Sequence, residues 1–170
     1  MALIRGKSVV NIKGGTFYGN VYGGGDMARI DNGDDDATVL NISEAADIRG
    51  SVFAGGNGKE KNTGDAYDAK KTKSPELVGK VTGNTNVRFN GSPLLAPSIY
   101  GNIYGGGNLA VVDGNANVSL FACNFAGEIY GGGKGLLSGA AVLNSADVSD
   151  NTSVLLAQDL GGQEEGEDGK

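Results

Sequence analysis

Four aromatic residues, Tyr22, Phe53, Tyr104 and Tyr130, recur at one position of a repeated motif. Of all the side chains in the sequence, they are the best placed to do chemistry. Two residues before three of them stand Asn20, Asn102 and Glu128. An aromatic face flanked by amides and a carboxylate can hold a sugar ring, by apolar contact plus hydrogen bonds to its hydroxyls. In register, the four rings would form a ladder on one face. Two structural alternatives stand beside that reading. The rings could pack on one another, each cross-strand aromatic pair contributing roughly 0.2–1 kcal/mol, or a glycine corner could turn them inward.

Catalytic constellations are sparse. The chain has no His, so it lacks the usual base near neutral pH and any Ser-His-Asp or Cys-His nucleophile. Glycoside hydrolysis needs two positioned carboxylates, and Glu128 stands alone in its column. Arg88 as a base has no acidic or metal neighbour in reach. Asp31, Asp34, Asp35 and Asp36 form an acidic turn, but their spacing is not that of an EF-hand and the terminal Glu is missing. Cys123 sits among apolar residues and reads as a small buried hydrophobe. No catalytic residue, metal site or cofactor is expected.

The elements that must position the aromatic residues are repeats. The motif Gly19-Asn20-Val21-Tyr22-Gly23-Gly24-Gly25-Asp26 returns from Gly50, Gly101 and Gly127, at spacings of 31, 51 and 26 residues. The second copy reads Phe53-Ala54 where the others have Tyr-Gly. A second element precedes each motif: Val10-Asn11-Ile12, Leu40-Asn41-Ile42, Val87-Arg88-Phe89 and Val118-Ser119-Leu120. A fifth copy is Val154-Leu155-Leu156. Their period-2 alternation predicts half-buried strands with Asn11, Asn41, Arg88 and Ser119 outward. Phe17, Ile48, Ile99 and Phe125 join Val21, Val52, Ile103 and Ile129 on the inward face. On a continuous strand the Tyr/Phe column then points out. Each glycine triplet reads as a sharp corner supplying unusual backbone angles. Stretches around Met27–Ile30, Leu109–Val112 and Ala140–Leu143 read as a looser third strand.

This pattern predicts an all-β, parallel β-helix or β-solenoid of about four to five coils, each of roughly 26–31 residues. Stacking at the parallel-strand spacing would give a core about 20–25 Å tall. Residues 1–160 form the solenoid domain, with a Lys-rich loop extruded at about 58–80. Residues 161–170 read as a disordered acidic tail or linker. The column Asp26, Asn57, Asn108 and Lys134, just after each corner, suits an amide ladder.

Composition bounds the rest. The chain has 170 residues with 31 Gly, one Cys and a net charge of −6. No basic stripe serves nucleic acid, and no apolar run approaches the ~20 residues of a membrane span. The start, Met1–Arg5, lacks the features of a signal peptide; the repeat begins within the first dozen residues, a pattern that fits a module of a longer secreted protein.

The Gly-Asn-Val-Tyr-Gly-Gly-Gly and Gly-Asn-Ile-Tyr-Gly-Gly-Gly phrases resemble the repeats of adhesin-like, right-handed parallel β-helix segments in large surface proteins of gut and rumen bacteria. The resemblance spans roughly residues 7–157. It implies right-handedness, an extracellular or cell-surface location, and a stalk or adhesion role without catalysis. The expected ligand is carbohydrate or a cell-surface glycoprotein, bound through Tyr22, Phe53, Tyr104, Tyr130, Asn20, Asn102 and Glu128. A polysaccharide-degrading lyase or hydrolase is the alternative of a different class. A self-assembling unit is a third, because solenoid ends expose strand edges that can pair with another chain.

Overall fold

The computed structural model describes residues 2–58, 78–92, 94–138, 141–144 and 146–157. Among them there is no helix, and nearly all strand pairing is parallel. The predicted loop lies mostly, and the predicted acidic tail entirely, outside the described residues.

The chain passes repeatedly through three parallel sheets. The first pass contributes β1 (Leu3–Arg5), β2 (Ser8–Ile12), β3 (Gly15–Phe17) and β4 (Val21–Tyr22). The second contributes β5 (Arg29–Ser43), β6 (Ala46–Ile48) and β7 (Val52–Phe53). The third contributes β8 (Val81–Asn90), β9 (Ser98–Ile99) and β10 (Ile103–Tyr104). The fourth contributes β11 (Val112–Asp113), β12 (Ala116–Phe121), β13 (Asn124–Phe125) and β14 (Ile129–Tyr130). After a β15–β16 hairpin (Leu136–Ser138 with Ala141–Asn144), β17 (Thr152–Ala157) closes the largest sheet. The smaller sheets order as β14-β10-β7-β4 and β13-β9-β6-β3.

Equivalent residues of successive passes are hydrogen-bonded partners. Val10, Leu40, Val87, Val118 and Val154 align, as do Ile12, Ile42, Phe89, Leu120 and Leu156. Val21, Val52, Ile103 and Ile129 form the facing column. The middle members of these columns are buried and make one core. Alternation along each strand is the cause: every second side chain points inward, and the parallel register lays like on like. Phe17 and Phe125 sit in the inward column of Ile48 and Ile99 but stay exposed, because they belong to the two outermost strands of their sheet.

Three details differ from the sequence reading. The segment from Phe17 to Val21 is not one strand: it breaks between β3 and β4, which lie in different sheets. The glycine triplets do not adopt left-handed backbone angles. They are needed for close approach between passes, since a Cβ on Gly23 would lie 2.4 Å from the Ala54 carbonyl oxygen, and one on Gly106 2.7 Å from the Gly133 nitrogen. Of the stretch read as a third strand over Ala140–Leu143, the described part belongs to Ala141–Asn144, which pairs back on Leu136–Ser138 as an antiparallel hairpin, and Val148 bridges to Val112 instead. Val148 thereby joins a second, smaller core of Ile30, Ala37, Val81 and Val112.

Candidate functional site

The aromatic column forms in register. Tyr22 pairs with Phe53, Phe53 with Tyr104, and Tyr104 with Tyr130 across the sheet. Their rings stack at centroid separations of 5.1, 4.7 and 4.9 Å, with planes within 11° of parallel. None of them joins the main core, which takes the preceding Val or Ile instead. The rings therefore lie on the outer side of a two-residue strand, as alternation requires.

Outward does not mean wet. Phe53 is 1% exposed and Tyr104 7%, whereas Tyr130 is 41% exposed. Of the alternatives weighed for the ladder, ring-on-ring packing is the one that holds for Phe53 and Tyr104. Parallel strands ~4.8 Å apart set adjacent rings at stacking distance, so each inner ring has both faces covered by its neighbours. No sugar can lie flat on either. Only Tyr22 and Tyr130, at the ends, keep a ring face outside the stack.

The flanking polar residues are also engaged internally. The Asn20 amide donates to the Tyr22 hydroxyl at 3.2 Å, and Asn102 to Tyr104 at 3.1 Å. The Tyr130 hydroxyl donates to the Glu128 carboxylate. That bond holds the phenol proton, and with the nearby carboxylate charge it raises the Tyr130 pKa above the ordinary value. The amide oxygens bind the next pass: the Ser51 N–H donates to Asn20 at 2.8 Å and the Glu128 N–H to Asn102 at 3.0 Å. The seven side chains are brought together, and the bonds shown join them to one another and to the backbone.

The amide ladder after the corners is present. Asn57 donates to Asp26 and Asn108 to Asn57, each at 2.8 Å. Lys134 continues the column through a parallel bridge to Asn108.

Two features escaped the sequence reading. Ser8, Thr38 and Thr85 share a column, and their hydroxyls donate to the corner carbonyls of Gly23, Ala54 and Gly105 at 2.9, 2.6 and 2.7 Å. The signal was legible, since each stands two residues before an inward Val or Leu. The second feature is a more exposed aromatic column. Tyr18, Arg49 and Tyr100 each follow a residue of the aligned column Phe17, Ile48 and Ile99. Arg49 lies 4.2 Å from the Tyr100 ring centroid and 2.7 Å from Asp47, while Tyr18 is 85% exposed.

The acidic cluster is not an isolated turn. It lies within β5, where the pairing with β8 shifts register between Asp31 and Asp36. Asp36 accepts from Asn86 at 2.9 Å and meets Lys7 at 3.6 Å. A neighbouring polar groove of about 390 Å³ is lined by Asp34, Asn84, Asp113 and Asn115, among others. There, a hydrogen bond and ion pair with Lys80 at 2.9 Å lower the Asp113 pKa. Among the described residues no group of three His, Cys, Asp or Glu side chains is placed to hold a metal ion. No helix among them is long and apolar enough to cross a membrane.

Comparison of the chain with protein-family models, with curated proteins and with solved structures finds no match.

Proposed function

We propose that this chain is a parallel β-solenoid, right-handed as the motif resemblance implies. In this reading it is a non-catalytic structural or adhesive module of a larger bacterial cell-surface protein. One observation carries the reading: equivalent residues of successive passes pair in parallel register in all three sheets. Such a stack extends by adding passes and keeps its cross-section, which suits a spacer. The interior columns are apolar, and the stacked rings and amides join one pass to the next. Antibodies raised against the chain should label intact cells of the source organism. Labelling only after lysis would overturn the surface assignment. Release of reducing ends or unsaturated products from polysaccharides would overturn the non-catalytic one.

Glycan adhesion is a second reading, and the Tyr18, Arg49 and Tyr100 column favours it. Tyr18 and Tyr100 are exposed, and Asp47 and Arg49 add charged hydrogen-bonding groups beside them. A glycan array should show binding that is lost in Tyr18→Ala and Tyr100→Ala. Loss in Tyr130→Ala with retention in those two would return the site to the end of the stacked column.

A further inference from the structure

We propose that Asn32 is a self-modification site, converted by attack of the Gly33 backbone nitrogen into aspartate or isoaspartate while the fold is kept.

The chain has three Asn-Gly pairs: Asn32-Gly33, Asn57-Gly58 and Asn90-Gly91. Glycine has no side chain to shield its nitrogen and lets the backbone bend freely. An asparagine before it is therefore open to attack by the next amide. The chemistry is the same at each pair. The glycine nitrogen gives up its proton and bonds to the asparagine Cγ. The bond from Cγ to Nδ2 breaks, ammonia leaves, and a five-membered imide remains. Water then opens the imide. Cleavage of the bond from nitrogen to Cγ gives aspartate. Cleavage of the bond from nitrogen to the main-chain carbonyl gives isoaspartate, with the chain rerouted through the side chain. Either way, one amide and one water become one carboxylate and one ammonium.

The structure separates the three pairs. A nitrogen whose hydrogen is held in a sheet must be released before it can attack. The Gly58 N–H donates to the Asn108 carbonyl at 2.7 Å, and the Gly91 N–H to the Phe121 carbonyl at 2.9 Å. Asn57 is also pinned through its side chain, which donates to Asp26 and accepts from Asn108. Gly33, by contrast, is exposed, and its N–H turns to the Asp31 carboxylate at a long 3.4 Å. That carboxylate is an acceptor for the departing proton. The acids that follow oppose loss of the proton only weakly. Asp34 and Asp35 are exposed, where solvent screens them, and Asp36 is paired with Lys7.

The cause is the register shift within β5. Asp31 pairs with Thr82 and Asp36 with Asn84, so residues 32–35 stand opposite Gly83 and outside the ladder. On the other side of β5, pairing stops at Asp31 and resumes at Thr38. The same looseness accommodates the product. The Asn32 side chain donates to the Asp36 carbonyl nearby, at 2.8 Å, and lines an open groove of about 370 Å³ together with Lys7. The extra main-chain atom of isoaspartate falls in a segment that carries no ladder. The new carboxylate shares its groove with the Lys7 ammonium and adds one negative charge to a chain of net charge −6.

The test holds the folded 170-residue chain at mildly alkaline pH and follows each Asn-Gly peptide by mass spectrometry over time. Asn32 should convert first, about tenfold or more faster than Asn57 and Asn90, because those two react only after local opening. In urea the three should convert at similar rates. Asn57 or Asn90 keeping pace with Asn32 in the folded chain overturns the proposal. So does an Asn32 that stays intact while the unfolded chain converts, or one that leads by the same margin in urea. Asn32→Asp, the product itself, should melt nearer the parent than Asn57→Asp, which sets a carboxylate against Asp26. The reverse order overturns the claim that the fold is kept.

Discussion

The phenyl ring of Phe53 lies 4.7 Å from the ring of Tyr104, with the two planes 2° from parallel. Phe53→Ala removes a ring covered on both faces and should cost about 3–5 kcal/mol, as for other buried aromatics. Tyr104→Phe keeps the stack and loses only the bond from Asn102, at about 0.5–1.5 kcal/mol. Denaturant midpoints of the two variants check the ordering.

Gly106 and Gly132 occupy the same place in the motif and should respond differently to a methyl group. A Cβ on Gly106 would lie 2.7 Å from the Gly133 nitrogen, while one on Gly132 meets nothing within 4 Å. Gly106→Ala should destabilise by about 1–3 kcal/mol through overpacking. Gly132→Ala should leave the melting temperature within a degree or two of the parent, by the same comparison.

Thr85 is fully buried and donates to the Gly105 carbonyl. Thr85→Val keeps the volume but deprives that carbonyl of its donor, at a cost of about 1–3 kcal/mol. Thr85→Ser should retain much of the bond, and thermal melts of the pair separate the hydroxyl from the methyl.

Tyr130 should titrate above the ordinary tyrosine range, because its proton is held by Glu128. Glu128→Gln removes the carboxylate and should return it towards the usual value. NMR titration with ring-labelled tyrosine reads this directly, and an unchanged Tyr130 pKa would show that the bond does not form in solution.

Burial pushes the Cys123 thiol up to about 12. The unfolded thiol ionises near 9, so between those values the unfolded state has lost a proton that the folded state keeps. This contribution to stability is present below pH 9 and falls as pH rises through that window. Cys123→Ala should show a shallower alkaline loss than the parent, and folded Cys123 should react slowly with disulfide reagents at neutral pH.

The columns were legible because period-2 alternation and a repeated motif constrain the same residues twice. Val52, Ile103 and Leu40 had one place to go. The state of Phe53 was not legible. Alternation gives the side of the strand, but burial depends on what stands one strand away, and there it is another ring. The purpose of the glycines was misread for a similar reason. Gly23 and Gly106 look like turn residues in one dimension, and their constraint comes from a carbonyl or amide of the next pass, 31 and 27 residues away in sequence. The Tyr18 and Tyr100 column was hidden because Arg49 interrupts the aromatic pattern.

The register survives one passage where chain spacing between equivalent motifs rises from 31 to 51 residues. Both banks of that passage are tied to the pass above: the Gly58 N–H donates to the Asn108 carbonyl at 2.7 Å, and the Val81 N–H to the Val111 carbonyl at 3.0 Å. The banks also touch, since a Cβ on Gly79 would lie 2.9 Å from the Gly58 nitrogen. Closing such a seam costs only slightly more as the inserted segment lengthens. It is therefore a grafting port: an enzyme or epitope whose termini lie close together should be accepted between Gly58 and Gly79 with the register of the flanking passes unchanged.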